Sequence, residues 1–508
     1  MRNLVFKLIV NIHKPTAVRL SPETPDYITE GVTIDSFKVN GKPQAWIESP
    51  YYNTIHPVKL SKALASKDSV HLFVKWHYDV SKKSNREGMI DSTTYFLAYF
   101  YPRVAVYDDY QGWDDTEFND RLEFYNDFND YDVNIQVPAN YLVWGTGTLM
   151  NADKVLQPSF AAKFKQSLSS DQITTIASKQ DLLAKKVTAQ GGMNKWHFKS
   201  GNITDVAFGL SDHFVWDASS VVVDSVLKRR ASVQAAYNDT AADFHHMVNF
   251  ARQALSGLSA NWPGIPYPFE KTTIFQGFAG MEYPMMANDE TYPDTLFSRF
   301  VADHEIAHSY MPFYMGINET RFGFMDEGWA TTFELLLNRN VMGIQKADDF
   351  YREFRVNNWI HDKSADQDMP IITPGPNLNG RGLGSNEYGK PSLGYLAVKD
   401  LLGDVLFKKC LHEYMNRWHG KHPIPWDFFN TINNASGQNL DWFWNNWFFS
   451  NYYIDMGLQN VAKTSNGYTI NVQNIGGMAA PFDLLLNYTD NKTETIHYTP
   501  AIWRSNTK

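Results

Sequence analysis

The chain has 508 residues, 43% of them hydrophobic and 20% charged, with a net charge of -9. That length exceeds one compact core and implies about two to four domains. The acidic balance argues against a nucleic-acid or anionic-membrane surface, both of which need basic patches. The single cysteine, Cys410, rules out an internal disulfide and reads as a buried small hydrophobe.

Residues 1–203 read as mostly β. Residues 4–12 are apolar but short, carry Lys7 and lack a small-residue cleavage site, so they read as a strand rather than a signal peptide. No run approaches the roughly 20 apolar residues that a membrane helix needs. The expectation is a soluble protein, with the choice between cytoplasm and a periplasmic or secreted location open. A strand over 34–39 followed by Asn40-Gly41 signals a hairpin. Strict alternation at Val70, Leu72, Val74, Trp76, Tyr78 and Val80, and again from Tyr131 to Val137, marks half-buried strands. Between them, 108–132 is acidic and aromatic (Asp108, Asp109, Asp114, Asp115, Glu117, Asp120) and reads as a solvated loop. Residues 160–186 read as a polar helical insertion.

The pattern changes near 204. A strand at 230–237 precedes a helix at 240–256, and a strand at 272–276 leads into G-F-A-G-M-E-Y-P, where Pro284 suits an edge strand. Asp294 is an N-cap type and Pro312 a stop, so 295–311 is predicted as one helix with the apolar stripe Phe297, Phe300, Val301, His304, His308, Met311. Its two histidines, four apart, lie one turn apart on one face. Paired imidazoles in an apolar setting suit zinc, and H-E-x-x-H on a helix is a zinc metalloprotease signature. Glu305, about 100° around the helix from the first ligand, flanks the ion as a general base. A third ligand, carboxylate or histidine, is required from a neighbouring element. Glu327, which opens the next helical pattern ahead of Gly328, is the choice. Residues 363–387 read as a surface loop and 391–450 as helical, closing on Trp442, Trp444, Trp447, Phe448, Phe449, Tyr452 and Tyr453, read as core or domain interface. Strands return at 459–463, 467–473, 480–488 and 493–499.

His304-Glu-Ile-Ala-His308 followed by Glu327 within D-E-G-W-A resembles the gluzincin signature of the aminopeptidase N family, relatives of the leukotriene hydrolase. Residues 279–283, A-G-M-E-Y, resemble that family's G-x-M-E-N exopeptidase motif. Residues 387–391, E-Y-G-K-P, resemble the segment carrying its active-site tyrosine.

The resemblance implies a multidomain α+β protein: an N-terminal β-sandwich-like domain (1–203), a thermolysin-like, mostly α catalytic domain (204–455), and a small C-terminal β module (456–508). It implies one Zn²⁺ per chain on His304, His308 and Glu327. Glu305 is then the general base and Tyr388 the oxyanion donor. Gly280, Met281 and Glu282 bind substrate, Glu282 through the free α-ammonium, and Glu334, two turns past Glu327, supports a ligand from behind. The expected substrates are peptides with a free N-terminus. Tyr283 stands where the family has Asn and Ala279 where it has Gly. The second amine-binding Glu or Gln of the family has no counterpart in 95–100. The alternatives are a zinc endopeptidase or other hydrolase on the same scaffold, or a non-catalytic peptide-binding relative.

Overall fold

A computed structural model describes residues 3–13, 28–83, 85–119, 121–360, 368–378 and 380–505. The protein is multidomain α+β. Strands in several small sheets occupy the first half, helices follow from residue 295, and two hairpins close the chain. It divides into two compact units, residues 1–259 with 266–316, and residues 260–265 with 317–508. No described helix is long and apolar enough to cross a membrane.

In the first unit, Thr33–Val39 turns through Asn40-Gly41 onto Lys42–Pro43, with both turn residues at positive φ (49° and 76°). That is the conformation a two-residue hairpin of this type demands. Leu72–His77 and Asn129–Pro138 are strands as their alternation predicts. The first strand, in contrast, ends at Lys7, where its partner ends at Ile55, and Ile9–His13 is a turn of 3-10 helix. Leu8, Ile9 and Val10 are all buried, so no periodicity separates the two conformations. The acidic loop is no solvated spacer either. Asp114 is buried against Lys7, and Glu117 accepts the Asn53 N–H at 2.6 Å; Asp120 lies outside the described residues.

A six-stranded sheet underlies the end of this unit. Its strands are β1 (Thr174–Ala177), β2 (Val215–Asp224), β3 (Arg229–Tyr237), β4 (Lys271–Gln276), β5 (Met281–Tyr283) and β6 (Met286–Asp289), ordered β1-β2-β3-β4-β6-β5. Strand β1 corrects the reading of 160–186 as wholly helical: it is four residues long and buries only Ile176 and Ala177, too little pattern to announce itself. Helix α1 (Met247–Ala260) follows β3. Strand β5 is the sheet's edge, with Pro284 in the hairpin just beyond it, where the lost N–H costs no ladder bond.

Helix α2 (Thr295–Ala307) starts where Asp294 accepts the Leu296 N–H at 2.9 Å. Its first turn is tied down by the buried Asp243, which accepts from Tyr292 N (2.9 Å), Ser298 Oγ (2.6 Å) and the Thr291 hydroxyl. Neither carboxylate oxygen of the buried Asp289 meets a hydrogen-bond partner among the described residues. Burial first, and Asp243 second, push its pKa up to about 8.

The folded chain therefore keeps a proton that the unfolded chain releases near pH ~4. The linkage sign follows: stability is greatest below the unfolded value and is lost as pH rises to about 8. Asp289→Asn is expected to raise the thermal midpoint more at pH 8 than at pH 5. Equal shifts in thermal melts at the two pH values would contradict this.

In the second unit, helix α3 (Glu327–Met342) packs on helix α4 (Lys390–Leu402). Trp329 stacks on Tyr395 at 4.0 Å between centroids, and Thr332 Oγ lies 2.9 Å from Ser392 Oγ. A Cβ on Gly328 would come within 3.0 Å of Pro391 and 3.1 Å of Tyr395. Glycine there is a packing requirement of the α3–α4 contact.

Residues 363–387 read as a surface loop, yet Gly380–Gly384 is helical and continues into a widened π-type turn, Ser385–Gly389; 361–367 and 379 lie outside the described residues. Just beyond that range, glycine is required for close approach: a Cβ on Gly389 would fall 1.9 Å from the Arg355 carbonyl oxygen. Of the aromatic crowd, Trp444, Trp447 and Phe448 are core, whereas Phe449, Tyr452 and Tyr453 are exposed. The last strands pair as two hairpins, Met456–Thr464 with Gly467–Asn474 and Phe482–Asn487 with Thr493–Tyr498.

Candidate active site

The first unit brings five of the expected residues together. His304 and His308, on the buried side of α2, have ring centroids 4.8 Å apart and planes at 87°. The helix ends at His308, earlier than Pro312 suggests, because Met311 is extended (φ -131°, ψ 109°). A residue before proline is pushed out of the helical region by the pyrrolidine ring. The Met311 carbonyl thereby lies 3.2 Å from His308 Nδ1. Nδ1–H donating to that oxygen leaves the Nε2 lone pair to act as ligand, the usual way a metal-binding histidine is oriented.

Glu305 is 7% exposed, and a Cβ on Gly280 would lie 3.3 Å from its Oε1 and 3.4 Å from Val301 Cγ1. Gly280 thus works by being small: it lets the strand edge approach the carboxylate.

Glu282 and its neighbours on β5 alternate as a strand must. Met281 and Tyr283 turn into the hydrophobic core of the unit. Glu282 points the other way, 4% exposed, with Oε1 3.9 Å from His308 Nδ1. The Met281 side chain is therefore core. Tyr283, the departure from the family motif, donates its hydroxyl to the Arg86 carbonyl and accepts from Tyr99 at 3.1 Å. Asn288 Nδ2 reaches the Asn85 carbonyl at 3.1 Å, so the 85–86 loop is pinned to the β5–β6 hairpin. The Arg86 guanidinium is paired in fork geometry with Glu123. Burial opposes its charge, but Glu123, Tyr99 and Glu282 more than offset this and hold its pKa above the usual value.

The second unit carries the remaining groups. Glu327, the first residue of α3 and 4% exposed, accepts the Tyr388 hydroxyl on Oε1 at 2.6 Å. Glu334, fully buried two turns on, pairs with Arg355. The Arg355 guanidinium carbon lies 5.5 Å from the centroid of the Tyr388 ring.

Residues 284–447 match the peptidase family M1 domain. The chain carries an M1 domain and is a metallopeptidase. No match is found among the curated proteins. Among solved structures, this chain is similar to an M1 zinc metallopeptidase from Deinococcus radiodurans, with TM-score 0.54 and 13% identity over 88% of this chain and 85% of that one. A mutant of that enzyme bound to a Tyr-Ser-Ala substrate matches with TM-score 0.56 and 14% identity, over 88% and 86% of the two chains. Legionella pneumophila aminopeptidase A, in complex with aspartic acid, matches with TM-score 0.62 and 12% identity, over 98% of this chain and 52% of its own length. At such identities the likeness is one of fold.

Proposed function

We propose that this M1 metallopeptidase is a zinc aminopeptidase that removes the first residue from peptides with a free N-terminus. The donor set fits zinc. Two imidazoles one helical turn apart, one oriented by a backbone carbonyl, together with the Glu327 carboxylate, make a nitrogen–oxygen set of the kind a catalytic zinc takes, with one position left for substrate or water. His304, His308 and Glu327 would hold one ion per chain. That ion, when bound, supplies Lewis-acid polarisation and lowers the pKa of water.

The protein side chains do the rest. Glu305 takes a proton from the attacking water and returns it to the leaving amine. Tyr388 donates its hydroxyl to the tetrahedral oxyanion, exchanging the Glu327 oxygen for it. Glu282 receives the substrate ammonium and places the scissile bond one residue in. Glu334 acts behind this set through Arg355.

The observation that carries the exopeptidase reading is Glu282: a carboxylate buried to 4% exposure, on the edge strand and 3.9 Å from the His308 ring. Its negative charge, on the face of the strand opposite the core-facing Met281 and Tyr283, is of the sign that a peptide's free α-ammonium pairs with. The test compares a short peptide with its N-acetylated form: the free peptide is cleaved and the acetylated one is not. Glu282→Ala should raise KM for the free peptide about tenfold or more, the effect of losing a charge-assisted contact. Equal cleavage of both peptides, as an endopeptidase would give, or an unchanged KM, would overturn the assignment.

A further inference from the structure

Tyr388 is held at both ends, and only one of the two holds belongs to the reaction assigned above. Its hydroxyl is on Glu327 at 2.6 Å. Its ring face is met by Arg355, whose guanidinium carbon is 5.5 Å from the ring centroid. Arg355 in turn is fixed by Glu334, through Nη2 to Oε2 and a longer contact from Nε to Oε1 at 3.4 Å. Burial opposes the Arg355 charge, but Glu334 more than offsets it and raises its pKa above the usual value.

Glu334 is itself completely buried, and it stands seven residues after Glu327 on the same helix α3. One helix face therefore supplies two anchors for the tyrosine, one direct and one through the arginine. The backbone is arranged to match. Arg355 lies in a widened π-type turn, Arg352–Val356, and Tyr388 in another, Ser385–Gly389. Such turns redirect side chains out of helical register and recur at functional sites. The two turns touch main chain to main chain, since a Cβ on Gly389 would lie 1.9 Å from the Arg355 carbonyl oxygen. That contact sets the register between residues 355 and 388.

We propose that Arg355 is a positioning residue for the oxyanion step: by covering the Tyr388 ring and being clamped by Glu334, it fixes where the phenol hydroxyl stands. The inference rests on the reading of Tyr388 as oxyanion donor. During turnover the hydroxyl must leave Glu327 for the reacting oxygen, and at that moment its hydrogen bond no longer locates the ring. The face contact with Arg355 persists through the exchange. Arg355 acts on the reaction through Tyr388 and touches no reacting atom.

The test is a mutant cycle on the full, metal-loaded chain with an amino-acid p-nitroanilide as substrate. Arg355→Met keeps the stem and removes the planar cation. It is expected to lower kcat about tenfold with KM within about twofold, while zinc stays at one per chain. Tyr388→Phe alone should cost about a hundredfold, as loss of an oxyanion donor does. In the Arg355→Met background it should cost only about a tenth of that, because the hydroxyl is already misplaced. Arg355→Lys, which keeps a cation over the ring, should recover part of kcat. A second readout needs no metal: fluorotyrosine placed at 388 should give one sharp ¹⁹F line in the metal-free chain and a broadened or split one in Arg355→Met.

Fully multiplicative losses, or a KM that rises with kcat unchanged, overturn the proposal while leaving Tyr388 as the donor. An unchanged kcat in Tyr388→Phe alone overturns the reading of Tyr388, and this inference with it. Should Arg355→Met fail to fold, Glu334→Gln carries the same cycle, and multiplicative losses there are equally fatal.

Discussion

Glu305→Gln is expected to lower kcat by about 10²–10⁴-fold, the range for loss of a general acid–base group, with zinc content and KM nearly unchanged. The amide is isosteric with the carboxylate, so the close approach to Gly280 survives. What is lost is the ability to accept the proton of the attacking water and to return it to the departing amine. Both transfers run through the same carboxylate, so no second group makes up for its removal. Steady-state kinetics with metal analysis on the same preparation checks the result. Undiminished hydrolysis would show that some other group is the base and would remove the mechanism proposed for this chain.

His308→Ala is expected to abolish stoichiometric zinc binding and to reduce hydrolysis to background. His308 is 1% exposed and its Nδ1 is engaged by the Met311 carbonyl, so the ring is oriented before any ion arrives. Removing it deletes a ligand and also strands that carbonyl inside the protein. Metal binding to the folded chain alone stabilises it by mass action, about 2.7 kcal/mol when free zinc is a hundred times Kd. Chelator-treated parent chain should therefore melt at a lower temperature and regain both activity and melting point when zinc is restored. The His308→Ala chain should melt low in either condition. A parent chain that keeps full activity after exhaustive chelation would sink the metal assignment.

What could be read ahead of the structure was whatever local physics signals locally. The N-cap at Asp294, the four-residue spacing of the histidines and the alternation from Tyr131 to Val137 all follow from nearest-neighbour geometry, and all are found. The two-residue turn at Asn40-Gly41 is of the same kind. Misreadings arose where a distant contact decides. Residues 363–387 read as loop from their Asp, Pro, Gly and Asn, yet Gly380–Gly384 is helical and the turn that follows is seated by Gly389 against Arg355 and by Gly323 against Glu387. Arg355 itself, 28 residues beyond Glu327, belongs to no short motif, so nothing local marks it. The direction of the Tyr283 side chain was implicit in strand parity, yet its partner, the carbonyl of Arg86, lies 197 residues away in the chain.

The absence of a side chain at residue 280 has one more consequence. With the backbone set so close to Glu305, a side chain at 280 would crowd the carboxylate oxygen at 3.3 Å and Val301 at 3.4 Å. On the proposed reading of Glu305 as the base, the room its carboxylate has on that flank is a property of the main chain at that position, one that even an alanine would disturb.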